Sequence, residues 1–142
     1  MARGRCPQPW GCRLRLLADT HAALWWLSDD ERLSDAAREA IAGAEEPLVS
    51  AGTLFEVSIK ASLGKLEVAE EWTEELLAEG FALLPISVAH AAAYRHLPYV
   101  EVGGRRQRDP FDRLLVAQAM TEQVPLVTCD PGIVAHGVAT IW

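Results

Sequence analysis

Short apolar runs that end on an acid alternate with stretches of helical periodicity. This alternation restricts the fold more than any other feature of the chain. Arg13 to Ala18 reads as a first strand stopping at Asp19, Pro47–Ser50 as a second and Phe81–Ile86 as a third. Leu126–Thr128 reads as a fourth, ending at Cys129-Asp130 before a Pro131-Gly132 turn, and Ala139–Trp142 as a last, edge strand. Helical stretches fill the intervals. Ala22–Leu27 is short; Ser34 caps a helix running to about Ala44; Thr53–Leu63 is closed by Gly64. Glu70–Glu79 is acidic and amphipathic and is closed by Gly80, Ser87 caps a helix through His96, and the last runs from Pro110 to about Glu122. Serine ahead of a periodic run accepts a free helical N–H, and glycine after it tolerates the left-handed turn that ends a helix. Strands and helices alternating at these lengths predict a parallel sheet covered on both faces. The expectation is one α/β domain over residues 13–142, preceded by a loose arm at 1–12, with Pro98–Gln107 as an internal loop or short hairpin.

Half of the 142 residues are hydrophobic and 23% are charged, a balance that folds around a core of its own. Crossing a bilayer takes about 20 consecutive apolar residues. Leu14–Leu27 comes closest, but Arg15, Asp19 and His21 interrupt it, which also argues against a signal peptide. Cys6, Cys12 and Cys129 are odd in number and lack CxxC spacing, so neither a disulfide framework nor a zinc site is expected and a reducing cytoplasm is implied. His21, His90, His96 and His136 are scattered without ligand spacing. A net charge of −7 argues against a polyanionic substrate, but the distribution qualifies the sum. Six acids between Glu67 and Glu79 read as a solvated helix face, whereas Arg105, Arg106, Arg108 and Arg113 form a basic cluster compatible with phosphate contact.

That cluster borders Arg108-Asp109-Pro110-Phe111-Asp112-Arg113, a helix start in which Pro110 occupies the first turn and Asp109 caps the free N–H groups. In a parallel α/β sheet, ligands lie outside the C-terminal strand ends, near a switch in strand order. Asp19 ends the first strand and Asp130 the fourth. Asp112 starts the helix leading into the fourth, and Glu56 lies near the start of the helix after the second. All four can reach one rim. Each also has a local reading: Asp19 and Asp130 as turn residues, Glu56 as the end of a Thr53-x-x-Glu56 capping box, Asp109 as a cap. Clustered carboxylates repel one another unless a cation compensates, and an oxygen-only set suits Mg²⁺ or Mn²⁺. Such an ion activates water and offsets charge on a phosphoryl group, the two requirements of phosphodiester hydrolysis, while arginine forks hold flanking phosphates. A phosphoacceptor receiver-like domain needs a second acid beside the first and a lysine ending the last strand. Here Thr20 and His21 follow Asp19, and no lysine follows Lys65. An Asp-x-Asp phosphatase is excluded by His21.

Four segments stand in order: Leu-Leu-Ala-Asp-Thr-His-Ala-Ala-Leu-Trp-Trp-Leu (16–27), Ser-Ala-Gly-Thr-Leu-Phe-Glu-Val-Ser-Ile-Lys-Ala-Ser-Leu-Gly-Lys-Leu (50–66), Arg-Asp-Pro-Phe-Asp-Arg-Leu-Leu-Val-Ala-Gln-Ala (108–119) and Leu-Val-Thr-Cys-Asp (126–130). Together they resemble a PIN domain, and more closely the ribonuclease toxin of a VapBC toxin–antitoxin pair. The resemblance implies a five-stranded parallel sheet, Mg²⁺- or Mn²⁺-dependent endoribonuclease activity through metal-activated water, homodimerisation, and inhibition by a small antitoxin bound in a hetero-oligomer. It assigns the catalytic and metal-holding roles to Asp19, Glu56, Asp112 and Asp130, with Asp109 as an accessory acid. It implies that Thr20 and Thr128 orient water and that Arg113 and Arg108 contact RNA. Lys60 and Lys65 read as solvated lysines, and Trp25 and Trp26 as core and dimer-interface aromatics. The alternative, an inactive PIN-like module that only binds RNA or protein, would keep the fold and lose acids; all four are present.

Overall fold

A computed structural model describes residues 14–142; the arm expected at 1–12, with Cys6 and Cys12, and Arg13 lie outside the described residues. β1 (Arg15–Ala18) leads into α1 (Thr20–Leu27), α2 (Asp35–Gly43), β2 (Glu46–Ser50), α3 (Ala51–Ser62), α4 (Trp72–Ala78) and β3 (Ala82–Leu84). Then follow α5 (Val88–His96), a hairpin of β4 (Glu101–Val102) and β5 (Arg105–Arg106), α6 (Pro110–Glu122), β6 (Leu126–Val127), α7 (Pro131–Val134) and β7 (Thr140–Ile141). β3-β2-β1-β6-β7 form one sheet, with every neighbouring pair parallel.

The central strands are apolar throughout because helices cover both faces. Successive residues point to opposite sides, so β1 divides its side chains between two cores. Leu16 and Ala18 join Val49 and Val127 under Ala22, Ile41, Trp72 and Leu76. Leu17 joins Leu48 and Leu126 under Leu115, Val116 and Ala119. Pro47 is accommodated because β3 pairs with β2 only from Leu48 onward.

Several boundaries move from those the sequence suggests. α1 starts at Thr20 because Asp19 accepts the Ala22 N–H, and α3 starts at Ala51 because Ser50 accepts the Gly52 N–H. The expected Pro131-Gly132 turn is the short helix α7, capped by Asp130. β3 is shorter than Phe81–Ile86 because Pro85 has no N–H to continue the ladder. The segment 98–107 is a hairpin whose turn glycines, Gly103 and Gly104, have φ of 58° and 76°, the backbone that a type I′ turn demands. No helix among the described residues is long and apolar enough to cross a membrane.

The chain steps outward from β1 to β2 and β3, then jumps back to place β6 on β1's other side. The strand order therefore switches at β1. α3 and α6 approach closely beside this switch: a Cβ at Gly52 would collide with the Leu114 side chain.

Candidate active site

Four elements deliver carboxylates to the switch point. Asp19, 6% exposed, sits where β1 gives way to α1, with Oδ1 accepting the Ala22 N–H at 2.7 Å. Asp130 follows β6, its Oδ1 accepting the Gly132 N–H at 2.7 Å while its own N–H donates to Thr128 Oγ1 at 3.0 Å. Asp109 caps α6, accepting the N–H groups of Phe111 (2.9 Å) and Asp112 (3.0 Å) on Oδ1. Glu56 projects from the second turn of α3. The carboxyl groups of Asp19, Glu56, Asp109, Asp112 and Asp130 line one cavity of about 150 Å³, together with Thr20, His21 and Lys60.

Glu56 is held from both sides. Thr20 Oγ1 donates to its Oε1 at 2.6 Å, and the Lys60 ammonium stands 3.2 Å from Oε2. The capping-box explanation for Glu56 fails, because Ser50 is the cap of α3 and Thr53 lies inside the helix. The two threonines have protein partners here: Thr20 donates its hydroxyl proton to Glu56, while Thr128 accepts the Asp130 N–H and, as a polar neighbour, favours the charged form of Asp19.

Lys60 is not the solvated lysine expected. It falls one turn after Glu56, a spacing at which opposite charges meet on a helix surface, and that spacing was the available signal. His21 at the cavity wall had none. Lys65 is exposed as expected, and Arg108 is exposed immediately before Asp109. Trp25 and Trp26 are half-buried against the core, with Trp25 packed on Trp142 and under the Arg32 guanidinium.

Arg113 corrects the sequence reading outright. It is 2% exposed and turned away from the cavity, donating to the carbonyls of Leu97 (2.9 Å) and Pro98 (3.2 Å), with Tyr99 and Tyr94 rings 3.8 and 4.9 Å from its guanidinium carbon. Buried this way it cannot touch RNA.

Crowding of like charges sets the electrostatics. Burial pushes Asp112 up to about 7, and Asp109, Asp130, Glu56 and Asp19 push it the same way. Burial also raises Asp19, against the hydrogen bonds from Thr128 and Ala22. Among the described residues no three His, Cys, Asp or Glu side chains form a ready cage for an ion. That argues against zinc- or calcium-type caging. It does not conflict with Mg²⁺, which keeps several waters and takes only one or two carboxylates directly. The all-oxygen donors, and an Asp112 carboxyl that accepts no hydrogen bond from the described residues, fit a hard divalent cation.

A stability test follows from Asp112. Its folded value, about 7, lies above the 3.8 of a free carboxyl, so its contribution is fully present below 3.8 and is lost as pH rises through about 7. In chelator, the wild type should melt lower at about pH 8 than at about pH 5, and Asp112→Asn should narrow that gap. An unchanged gap in the variant would remove Asp112 as the cause.

Comparison with known proteins agrees with this architecture. Residues 16–137 match the family model of the PIN domain. Ribonuclease VapC22 of Mycobacterium tuberculosis (strain ATCC 25618 / H37Rv) is 34% identical over 133 residues, covering 89% of this chain and 98% of that protein. Among solved structures, FitAcB from Neisseria gonorrhoeae superposes with a TM-score of 0.62 at 21% identity, covering 88% of this chain and 95% of that one. VapBC2 from Rickettsia felis, bound to a DNA fragment from its promoter, gives 0.60 at 15% identity, covering 89% and 96%. The two structures share the fold; the sequence match carries the kinship. By the family model and the sequence match, the chain belongs to the PIN-domain family, among its VapC-type members.

Proposed function

We propose that this chain is the toxin of a type II toxin–antitoxin pair and cuts RNA at the carboxylate cavity with the help of Mg²⁺ or Mn²⁺. The observation that carries the reading is the meeting of Asp19, Glu56, Asp112 and Asp130, from four separate elements, on one cavity at the switch point. A ribonuclease among its relatives supports the substrate class.

Asp19, Asp112 and Asp130 would hold the ion, one or two of them directly and the rest through its waters, with Glu56 beside them. A bound divalent ion supplies Lewis acidity, acidifying water and offsetting charge at the phosphoryl group. The chain's own residues prepare the site. The Ala22 N–H fixes the Asp19 carboxyl, while Thr20 and Lys60 fix both oxygens of Glu56. Asp112, poised at about 7, gives up its proton readily when positive charge arrives. Arg108, exposed on the rim, would meet a flanking phosphate.

A small antitoxin covering this groove, in a hetero-oligomer, is the expected inhibitor, and the cytoplasm is the compartment where substrate and inhibitor are both present. For a homodimer, the surface around Phe55 and Phe111 is better suited than Trp25 and Trp26. Phe55 is 64% exposed, the two rings lie 6.4 Å apart, and an apolar groove of about 310 Å³ lined by Ile86 and Leu114 adjoins them.

The test is cleavage of single-stranded RNA by the purified chain, free of partner. Cutting is expected with Mg²⁺ or Mn²⁺, should stop in excess chelator and should resume when Mn²⁺ is restored. Cutting that persists in chelator overturns the metal mechanism. RNA that is bound but never cut under any metal condition would identify a binding module instead.

A further inference from the structure

The proposed chemistry makes no use of the β4–β5 hairpin, which with the adjoining Arg108 carries the most concentrated positive charge on an acidic protein. Arg105, Arg106 and Arg108 lie within four residues, and all three are exposed. Most other described cations have partners: Arg15 pairs with Glu46, Arg32 with Asp30, Arg38 with Asp29 and Lys60 with Glu56, while Lys65 and Arg95 stand singly on the surface. The hairpin arginines take no ion-pair partner among the described residues. Glu101 is the register partner of Arg106, but the two do not close to an ion pair.

The hairpin is also held rigidly. The Gly103-Gly104 turn fixes its tip, and the Gln107 N–H donates to the Val100 carbonyl at 2.8 Å across its base. Beneath it, buried Arg113 ties down the Leu97 and Pro98 carbonyls and stands over the Tyr99 ring. Tyr99 is nevertheless 53% exposed, with the Arg106 guanidinium 5.5 Å from its ring. The base of the hairpin abuts the cavity: a Cβ on Gly132 would lie 2.9 Å from Gln107 Oε1 and 3.0 Å from Asp130 Oδ1. Asp109 follows one residue after Arg108.

We infer that the β4–β5 hairpin is the arm that grips the RNA strand beside the scissile bond, Arg105 and Arg106 on phosphates and the half-exposed Tyr99 ring against a base. This rests on the ribonuclease reading and adds to it the residues that hold substrate. Fixed guanidinium forks suit phosphate oxygens, and an aromatic face accepts any base. The arm also resolves the conflict between a net charge of −7 and a polyanionic substrate. Attraction is confined to the place where the strand must enter, while the acids stay free for cations.

The experiment measures binding of a fluorescein-labelled single-stranded RNA by anisotropy, in chelator so that it stays intact, across a range of KCl. The proteins are the full chain, an Arg105→Gln/Arg106→Gln double variant, and Arg38→Gln as a control on a distant surface. Each phosphate contact to a single strand contributes about 0.7 to the slope of log K against log salt, so the double variant should lose about 1.4. Its affinity should fall about tenfold at low salt, with the control unchanged. Tyr99→Leu should weaken binding with the slope retained, since stacking releases no counter-ions. With Mg²⁺ or Mn²⁺, the double variant should raise KM with kcat little changed.

Unaltered slope and affinity in the double variant would overturn the arm, as would a slope lost equally in Arg38→Gln. So would RNA binding kept intact while capture of an acidic partner peptide is lost, which would make the hairpin a protein-docking surface. Failure of the ribonuclease reading looks different: the wild type then cuts no RNA with either metal, whatever the hairpin variants bind.

Discussion

Asp112→Asn should abolish RNA cleavage and at the same time make the metal-free protein harder to melt. The two effects have one cause. Asp112 lies among four other carboxylates, accepts no hydrogen bond from the described residues, and is pushed up to about 7 by burial and by those neighbours. Replacing it with the isosteric amide removes a charge the empty fold tolerates poorly. Because the side chain is partly exposed and screened, the gain should be only about 1 kcal/mol. In a chain of this length that is a rise of about 3–4 °C. The catalytic loss is far larger. On the proposed assignment Asp112 is one of the ligands of a divalent ion, and losing it weakens transition-state stabilisation worth several kcal/mol, or about 10²–10⁴ in rate. Thermal scans with and without Mn²⁺ complete the test, since a ligand that binds only the folded state raises its melting temperature. The wild type should gain and Asp112→Asn should gain much less. A variant that loses both activity and metal-free stability would show a structural aspartate and remove Asp112 from the metal set.

The second large effect lies at Arg113. Its guanidinium stands in the last turn of α5 and just beyond, donating to the carbonyls of Leu97 and Pro98, with Tyr94 O at 3.5 Å. The Leu97 carbonyl belongs to the C-cap of α5 and Pro98 follows it, so the guanidinium sits at the helix C-terminus, where the macrodipole favours a cation. The two tyrosines complete the enclosure, and only Nε is left without a partner. Arg113→Leu would keep much of the volume but strand buried carbonyls, each costing about 1–3 kcal/mol. The expected total is about 3–5 kcal/mol in denaturant titration. Arg113→Lys should recover little, because a single ammonium lacks the planar fork that spans the two carbonyls and faces the Tyr99 ring. A loss below about 1 kcal/mol for Arg113→Leu would mean the network is worth no more than an exposed ion pair.

Arg113 also shows where reading the sequence stopped. One turn separates it from Asp109 and Asp112 precedes it, so local spacing groups it with the RNA-facing arginines. Its actual partners lie 15 and 16 residues away, on the far side of a hairpin. Helical periodicity places a residue on a face of its own helix; it does not say what lies opposite. Glu56 repeats the lesson in reverse. Its local pattern suggested a cap with Thr53, whereas its real partner, Thr20, is 36 residues away across the switch in strand order.

The sequence by itself determined what is repeated or local. Apolar runs alternating with helical periodicity required a parallel sheet with both faces covered. Ser34, Ser87 and Asp109 announced helix starts, because a cap acts within three residues of itself. Acids at strand ends fell on one rim because parallel strands all finish there. Only the tertiary structure decided which oxygens are free and which are held, that Lys60 enters the acid cavity, and that Arg113 leaves it. Those outcomes depend on how closely α3 and α6 approach and on which way β6 returns to β1, and such distances are fixed by packing between segments far apart in the chain.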